Sequence, residues 1–460
     1  MRELERKRQG EKRYRVQDEP TGGDEKSPRR PTRQAKAEAG RRKRKRLILV
    51  LCAAVLAVGL FLLYSPYGLF GDEDSPLATI TSPAPPEEAQ RPAEEEQAGA
   101  EDQAAGEEQD GTEDQAAGEQ DVGEEPEAAS APEAENVYAA TITPEVKESL
   151  AGLPERVYIP NVVDGTIHVV DPKTFEIIDY YVVEQLPYHI TPSWDMSQLL
   201  VNNEESSTFT VLDPETGRPS GTIPAPFPYN FYYTPDGETA IVVVERLQTL
   251  EFRDTETWEL QGSVYIPWPG VDHLDFSADG SYFLASSEWS GVVSKVDAEE
   301  MELVDYVEVG ALPIDIKLSP DGSVFYVADQ GSMGVHVIDP EEMEETEFIP
   351  TGQGAHGLQI SRDTKSMYVS NRLEGTVSVI DLETNKVTDT WFTGGSPDMF
   401  QLSVDGKQLW VSGRYDGAVY VLDTDNGELL STIYTGVQPH GLAYFPNPGR
   451  FSLGHNGVYR

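Results

Sequence analysis

Cysteine is almost missing from this chain. Its 460 residues hold one, Cys52, so a disulfide framework is excluded and stability must come from a packed core. Basic charge is scarce beyond the first residues. Residues 1–46 carry 18 Lys and Arg against 8 acidic residues, whereas the remainder carries 17 basic and 72 acidic. A body so acidic argues against nucleic acid as a partner, since displacing phosphate counterions needs Lys and Arg. Motifs are also lacking. No Gly-x-Ser-x-Gly, phosphate-binding loop, His-Glu-x-x-His or Cys-x-x-Cys-His occurs, so serine hydrolase, nucleotide and covalent haem chemistry lack a motif. Long apolar runs are absent except for one, at 47–64.

Residues 1–46 end in the run Arg41-Arg42-Lys43-Arg44-Lys45-Arg46 and contain few large apolar residues. Such a segment cannot bury a core and is expected to be disordered. A nucleic-acid-binding arm is one reading of it. Its position against the apolar run favours a cytoplasmic topology determinant. Residues 47–64 carry no charge, and at ~1.5 Å per residue they just span a hydrocarbon core of roughly 30 Å. The positive-inside rule then predicts a single-pass cell-membrane protein with its N-terminus in the cytoplasm and its body outside. A cleaved signal peptide is the rival. The long basic leader and the lack of a prompt small-x-small site favour an uncleaved signal anchor. Residues 65–136 are expected to form an acidic disordered linker: 71–136 hold 22 acidic residues, one Arg and no aromatic. Loose calcium binding there competes with a solvated, self-repelling tether, and composition favours the tether. The lead-in, 137–154, is expected to contain a short helix, with Thr143 as N-cap, Pro144 in the first turn and Gly152 at the end.

From residue 155 onward one phrase recurs. A turn Asp appears at Asp195, Asp236, Asp279, Asp321, Asp363 and Asp405, with Asn447 as a variant. A second Asp closes an alternating run at Asp171, Asp213, Asp254, Asp297, Asp339, Asp381 and Asp423. The two series stay in step at a period near 42 residues, which marks a repeat architecture. Period-2 patterning between turn dipeptides gives four short strands per repeat. Seven such repeats predict an all-β fold: a seven-bladed β-propeller of four-stranded blades over 155–460, preceded by one transmembrane helix and a disordered stalk. The first strand, 157–161, starts the cycle at a second-strand position. The last first strand, 439–445, can therefore complete the blade begun at the N-terminus and remove the open edges.

Tyr368-Val369-Ser370-Asn371, 375–381 and Ser319-Pro320-Asp321-Gly322 resemble the YVTN-type β-propeller repeat family. The resemblance covers roughly 155–460 and implies the propeller fold. It also implies surface-layer or periplasmic binding roles, without naming an activity. The second and third repeats depart from the motif, reading Val201-Asn202-Asn203 and Val243-Val244-Glu245. The tail, 450–456, resembles an eighth second strand.

Propeller ligands gather where the inner strands begin. Aligning those starts gives Pro187-Tyr188-His189, Pro228-Tyr229-Asn230, Val271-Asp272-His273, Pro313-Ile314-Asp315, Ala355-His356-Gly357, Pro397-Asp398-Met399 and Pro439-His440-Gly441. Four of the seven histidines fall in this window. The ends of the second strands (Asn161, Asn203, Asp329, Asn371) and His455 of the tail are expected to edge the same mouth. The metal-ligand candidates are His189, Asp272, His273, His356, His440 and His455. The ligand-binding candidates are Tyr188, Tyr229, Asn230, Asp315 and Asp398. Imidazole and carboxylate suit Zn, Cu, Ni or Fe, and mixed oxygen donors suit Ca. Some propellers hold copper on a histidine ring there. The competing reading is a wet, polar rim. His189 and His273 share one strand position and His356 and His440 the one before it, and neighbours in a regular strand point to opposite faces. Two functions remain open. One is a membrane-tethered extracytoplasmic module that binds an unknown ligand or protein through its channel face. The other is a propeller enzyme, either a metal-dependent oxidoreductase or a lactonase-like hydrolase. A structural surface layer is a third role, which the negative charge opposes unless salt screens it.

Overall fold

The computed structural model describes residues 135–455 and 457–460. The basic segment 1–46, the apolar segment 47–64 and nearly all of the acidic linker 65–136 lie outside the described residues. Among the described residues, no helix is long and apolar enough to cross a membrane.

Seven four-stranded antiparallel sheets form the body. Their inner strands, Pro187–Pro192, Asn230–Tyr233, Val271–Phe276, Pro313–Leu318, Ala355–Ile360, Pro397–Leu402 and Ala443–Phe445, contact one another in a closed ring. The first blade is completed from both ends of the chain. Strand Arg156–Asn161 pairs with Ala443–Phe445, placing Arg156 opposite Phe445 and Tyr158 opposite Ala443. The closure expected from the staggered repeat is thus present, and it pairs strand edges that a linear array would leave open.

The turns explain the repeating aspartates. Between first and second strands, Ser319 Oγ donates to Asp321 Oδ1 at 2.6 Å, and the same oxygen accepts the Ser323 N–H at 3.1 Å. Between third and fourth strands, Asp339 Oδ1 accepts the Glu341 N–H at 2.8 Å. These side chains replace backbone partners in tight turns. Burial falls from the axis outward. The inner strand Val271–Phe276 is wholly buried, whereas the outer strand Glu302–Glu308 is almost wholly exposed. The three inner strands are sandwiched between neighbouring blades. Five of the seven outer strands carry charge, which discourages edge-to-edge pairing.

The lead-in differs from its expected form. Instead of one helix starting at Thr143, it has two three-residue 3-10 turns, Ala139–Thr141 and Glu148–Leu150. So short a segment lies below the length at which a helix sustains itself. Packing shapes it instead: Leu150 is buried against the first two blades, and the Tyr138 hydroxyl donates to the Leu318 carbonyl at 2.9 Å.

The tail is not an eighth second strand. Residues 450–455 and 457–460 form the two arms of a hairpin, with Ser452 opposite Tyr459 and the Leu453 N–H donating to the Val458 carbonyl at 2.9 Å. One arm pairs with an inner strand: Tyr232 lies opposite Gly454, and the Tyr233 N–H donates to the Leu453 carbonyl at 2.8 Å. The hairpin therefore rises along the ring axis from the Asp-turn face. Its base is held by Arg460, whose Nη2 donates to Asp275 Oδ1 at 2.8 Å and whose guanidinium lies over the Tyr138 ring.

Candidate metal centre in the channel

Window residues escape strand alternation because five of the seven inner strands bulge there. Pro187 pairs with Asn203 and the next pair is Ile190 with Val201, three residues forward against two back. The same shift occurs at 271/274, 313/316, 355/358 and 397/400. One extra residue in each of these strands re-aims the side chains toward the axis. The freed amides are capped by the second strand. The His273 N–H donates to Ser286 Oγ at 3.2 Å, and Gly357 and Met399 donate to Ser370 and Ser412 at 2.8 and 3.0 Å. A regular strand would have kept the histidines apart, and the bulge brings them together.

His189, His273 and His455 converge. All three are buried, and one ring nitrogen from each lies within 4.8 Å of the others. The His189 and His455 rings stack at 4.1 Å, and His273 meets His455 edge-on at 4.7 Å. Both nitrogens of His189 and of His455, and Nε2 of His273, have no hydrogen-bond partner. Burial, then the neighbouring histidines His455, His440 and His273, hold His189 well below the usual imidazole range. Burial and His273 do the same to His455. Burial alone would lower His273, but Asp272 outweighs it and raises this imidazole. The Asp272 Oδ1 stands 2.8 Å from His273 Nδ1, at ion-pair distance without hydrogen-bond alignment. Buried ring nitrogens turned on one another without partners suit an electrophile. A carboxylate behind one of them is the usual support of a metal-bound histidine. Tetrahedral ligands at a Zn–N length near 2.0–2.1 Å stand about 3.4 Å apart, so small ring rotations would close the trio on an ion.

His356 and His440 are occupied otherwise. Both turn to Asp398, which is fully buried: His440 Nδ1 lies 2.6 Å from Oδ2 and His356 Nδ1 lies 3.0 Å from Oδ1. Arg372 completes the group, bonding Asp398 and His356 with one guanidinium and Gln330 at 3.2 Å. Burial favours a neutral carboxyl, but Arg372, then His356 and His440, hold Asp398 well below its usual range. Burial pushes His356 down to about 4 and His440 to about 3. His440 leaves Nε2 without a partner, with its ring 4.7 Å from His189. It borders the trio without joining it.

The other candidates divide by role. Tyr188 and Tyr229 are half-buried and pair at 5.1 Å on the mouth side of the histidines. Asn230 is internal: its Nδ2 donates to the Tyr232 hydroxyl at 2.9 Å and its Oδ1 accepts the Phe231 N–H. Asp315 is a clamp between blades, accepting the Ile316 N–H at 3.0 Å and the Leu358 N–H of the next blade at 2.8 Å. Asn161, Asn203 and Asn371 bond to third-strand side chains such as His168, Thr210 and Ser378, so they brace blades instead of lining the mouth. Asp329 accepts the Leu312 and Ser332 amides. His455 belongs to the centre, but it arrives through the channel on the tail hairpin.

Sequence reasoning missed a second ring. The residue after each second strand is, in blade order, Val162, Glu204, Glu245, Glu288, Gln330, Arg372 and Arg414. Six of these follow the same local design, each N–H donating to a carbonyl of the segment leading to an inner strand, as Glu204 does to Leu186 at 3.1 Å. The mouth is thus acidic over three consecutive blades and basic over two others. Burial, then Asp272, Glu204 and Glu288, push Glu245 up to about 9. Burial and Asp272 push Glu288 up to about 7. The repeat register alone would have exposed this series, had the position one past the Asn motif been read down the blades.

The family described as YncE-like β-propeller matches residues 138–448. No curated protein matches the chain. Among solved structures, hydrazine synthase of Kuenenia stuttgartiensis is 20% identical, covering 55% of this chain and 87% of that one at a TM-score of 0.48. Dihydro-heme d1 dehydrogenase NirN in complex with DHE is 15% identical, covering 66% and 80% at 0.50. A functionally unknown protein from Desulfotomaculum acetoxidans DSM 771 is 16% identical, covering 64% and 99% at 0.56. At such identities the likeness concerns the fold.

Proposed function

Starting from a chain that belongs to the YncE-like β-propeller family, we propose that it is a metal-holding recognition propeller. A transition-metal ion sits between His189, His273 and His455, and ligands reach it from the tyrosine-lined mouth. The observation that carries this reading is the trio of buried imidazoles, five of whose six ring nitrogens have no protein partner. Leaving such groups unpaired costs roughly 1–3 kcal/mol each, and a metal bond removes that cost. Three imidazoles suit Zn, Cu, Ni or Fe. Asp272 would orient His273, and Tyr229, whose ring meets His189 at 5.4 Å and His273 at 6.4 Å, would screen the ion from solvent.

The repeats are read as YVTN type, and the chain as anchored by 47–64 with the propeller outside the cell on its acidic stalk. The apolar run and its basic flank support that placement. A second reading, a propeller enzyme, rests on the same centre: three histidines leave a coordination position open, as catalytic sites do and closed structural sites do not.

Elemental analysis of the full-length protein, purified without chelator or polyhistidine tag, tests the proposal. One equivalent of a transition metal is expected, lost in a His189→Ala/His455→Ala variant. Protein that takes up no metal after soaking with Zn, Cu, Ni and Fe would overturn it. Turnover of oxidisable or lactone substrates by the loaded protein alone would favour the enzyme.

A further inference from the structure

The ring at the mouth carries three acidic side chains on consecutive blades, and Glu204 alone among them makes an ion pair among the described residues. Glu245 is buried, being 7% exposed. Glu204 is 1% exposed, and its Oε2 has no partner. Its Oε1 takes Arg246 at 2.6 Å, but that guanidinium reaches outward to Glu205. Asp272 adds a fourth carboxylate within electrostatic reach of Glu245 and Glu288. The guanidiniums across the mouth are engaged: Arg372 on Asp398, and Arg414 over the Tyr188 ring at 5.3 Å. Aromatic faces flank the acids. The indole of Trp289 donates to Glu288 Oε2 at 3.1 Å while its ring is 51% exposed, and Tyr229 feels Asp272, Glu245 and Glu288 together. Leu247 and Trp289 offer apolar surface at the rim.

We propose that this acidic side of the mouth binds a primary alkylammonium group, as carried by a lysine side chain or a free alkyl amine. The ammonium sits between Glu245 and Glu288, and its alkyl chain lies along Leu247 and Trp289. An ammonium has three donors to share among carboxylates from three blades, whereas a planar guanidinium is best met by one carboxylate edge-on. Aromatic faces attract organic cations but do not ligate metals, so the mixture of acids and rings favours an amine over a second metal ion. The site stands on its own residues and does not require the histidine metal centre.

Calorimetric titration of hexylammonium into full-length protein, chelator-treated and Zn-soaked in parallel, tests it. Saturable binding that weakens with salt is expected in both, and also in His455→Ala, so failure of the metal centre leaves the outcome intact. At pH 9, where Glu245 gives up its proton while the alkylammonium keeps its charge, Glu245→Gln is expected to weaken binding at least about tenfold, the worth of one charge-assisted contact. Trp289→Leu, at an exposed position that spares the fold, is expected to weaken it several-fold. A blocked Gly-Lys-Gly peptide separates sources: binding tighter than hexylammonium assigns the site to lysine in a polypeptide, and weaker binding assigns it to small amines. Hexanoate binding as well as hexylammonium, Glu245→Gln binding unchanged, or calcium binding at Glu245 in place of the amine would each overturn the proposal.

Discussion

One channel holds two histidine groups, and they are opposites. His356 and His440 are turned to Asp398 and tied down with Arg372. His189, His273 and His455 face one another with five ring nitrogens unpartnered. The first group is closed: its charge is matched, and removing any member strands another. The second is open, because protein alone does not satisfy it. Identical side chains in one channel are therefore read by their partners, not by their residue type. A carboxylate and a guanidinium make a brace. Only neutral neighbours leave lone pairs for an ion.

Stability should separate the groups most widely. Asp398→Ala leaves a buried guanidinium without its carboxylate, and breaking a buried pair in this way costs about 3–5 kcal/mol. His455→Leu in metal-free protein should be neutral or stabilising, since it replaces unpartnered polar atoms with an apolar side chain of similar size. Denaturant unfolding of the two variants measures both. Equal losses would erase the distinction between brace and open site.

Metal should act on one group alone. Zn at one hundred times its dissociation constant is expected to stabilise the wild type by about 2.7 kcal/mol. His455→Leu should show no such gain, while His356→Gln should retain it. Thermal melts with and without Zn decide this, and a gain lost equally in both variants would merge the groups. A smaller step sharpens the picture within the trio. Asp272→Asn removes the carboxylate behind His273 and should lower metal affinity about 10–100-fold, read by competition with a chromophoric chelator. A role confined to folding would leave that affinity unchanged.

The fold was legible because every period states it. Turn aspartates, Gly-led strands and the staggered ends each dictate local structure, and they agree. The candidate site was legible as a list of window residues but not as a geometry. Alternation kept His189 and His356 on opposite faces, and only the extra residue in each of their inner strands re-aims them. Asp315 and Asn230 share the window's polarity but spend it on backbone amides and Tyr232. Likening the tail to a second strand predicts His455 at the mouth, and it does reach the trio, but on a hairpin that is no repeat element. The acidic arc was hidden differently: Glu204, Glu245 and Glu288 lie one position beyond the motif, where no repeat residue draws the eye.

The smallest expected effect concerns protons at that arc. In the folded protein Glu245 is raised to about 9 from an ordinary 4.5 by burial and by Asp272. Folded protein therefore holds a proton that unfolded chain releases above 4.5. That contribution is fully present below pH 4.5 and is lost as pH rises through 9, at most about 1.4 kcal/mol per pH unit. The buried histidines act oppositely. His356 and His440, lowered to about 4 and about 3, stay neutral while the unfolded chain takes up protons below about 6.5. Their contribution is present above 6.5 and is lost as pH falls toward 3. Stability of metal-free protein should thus peak near neutrality. Glu245→Gln should flatten the alkaline limb between pH 7 and 9 and leave the limb below pH 4.5 as it was. Urea midpoints across that range measure the difference between the two proteins. An alkaline limb unaltered by the substitution would show that the mouth carboxylates are solvated, so that the open side of the channel holds no more charge strain than the closed one.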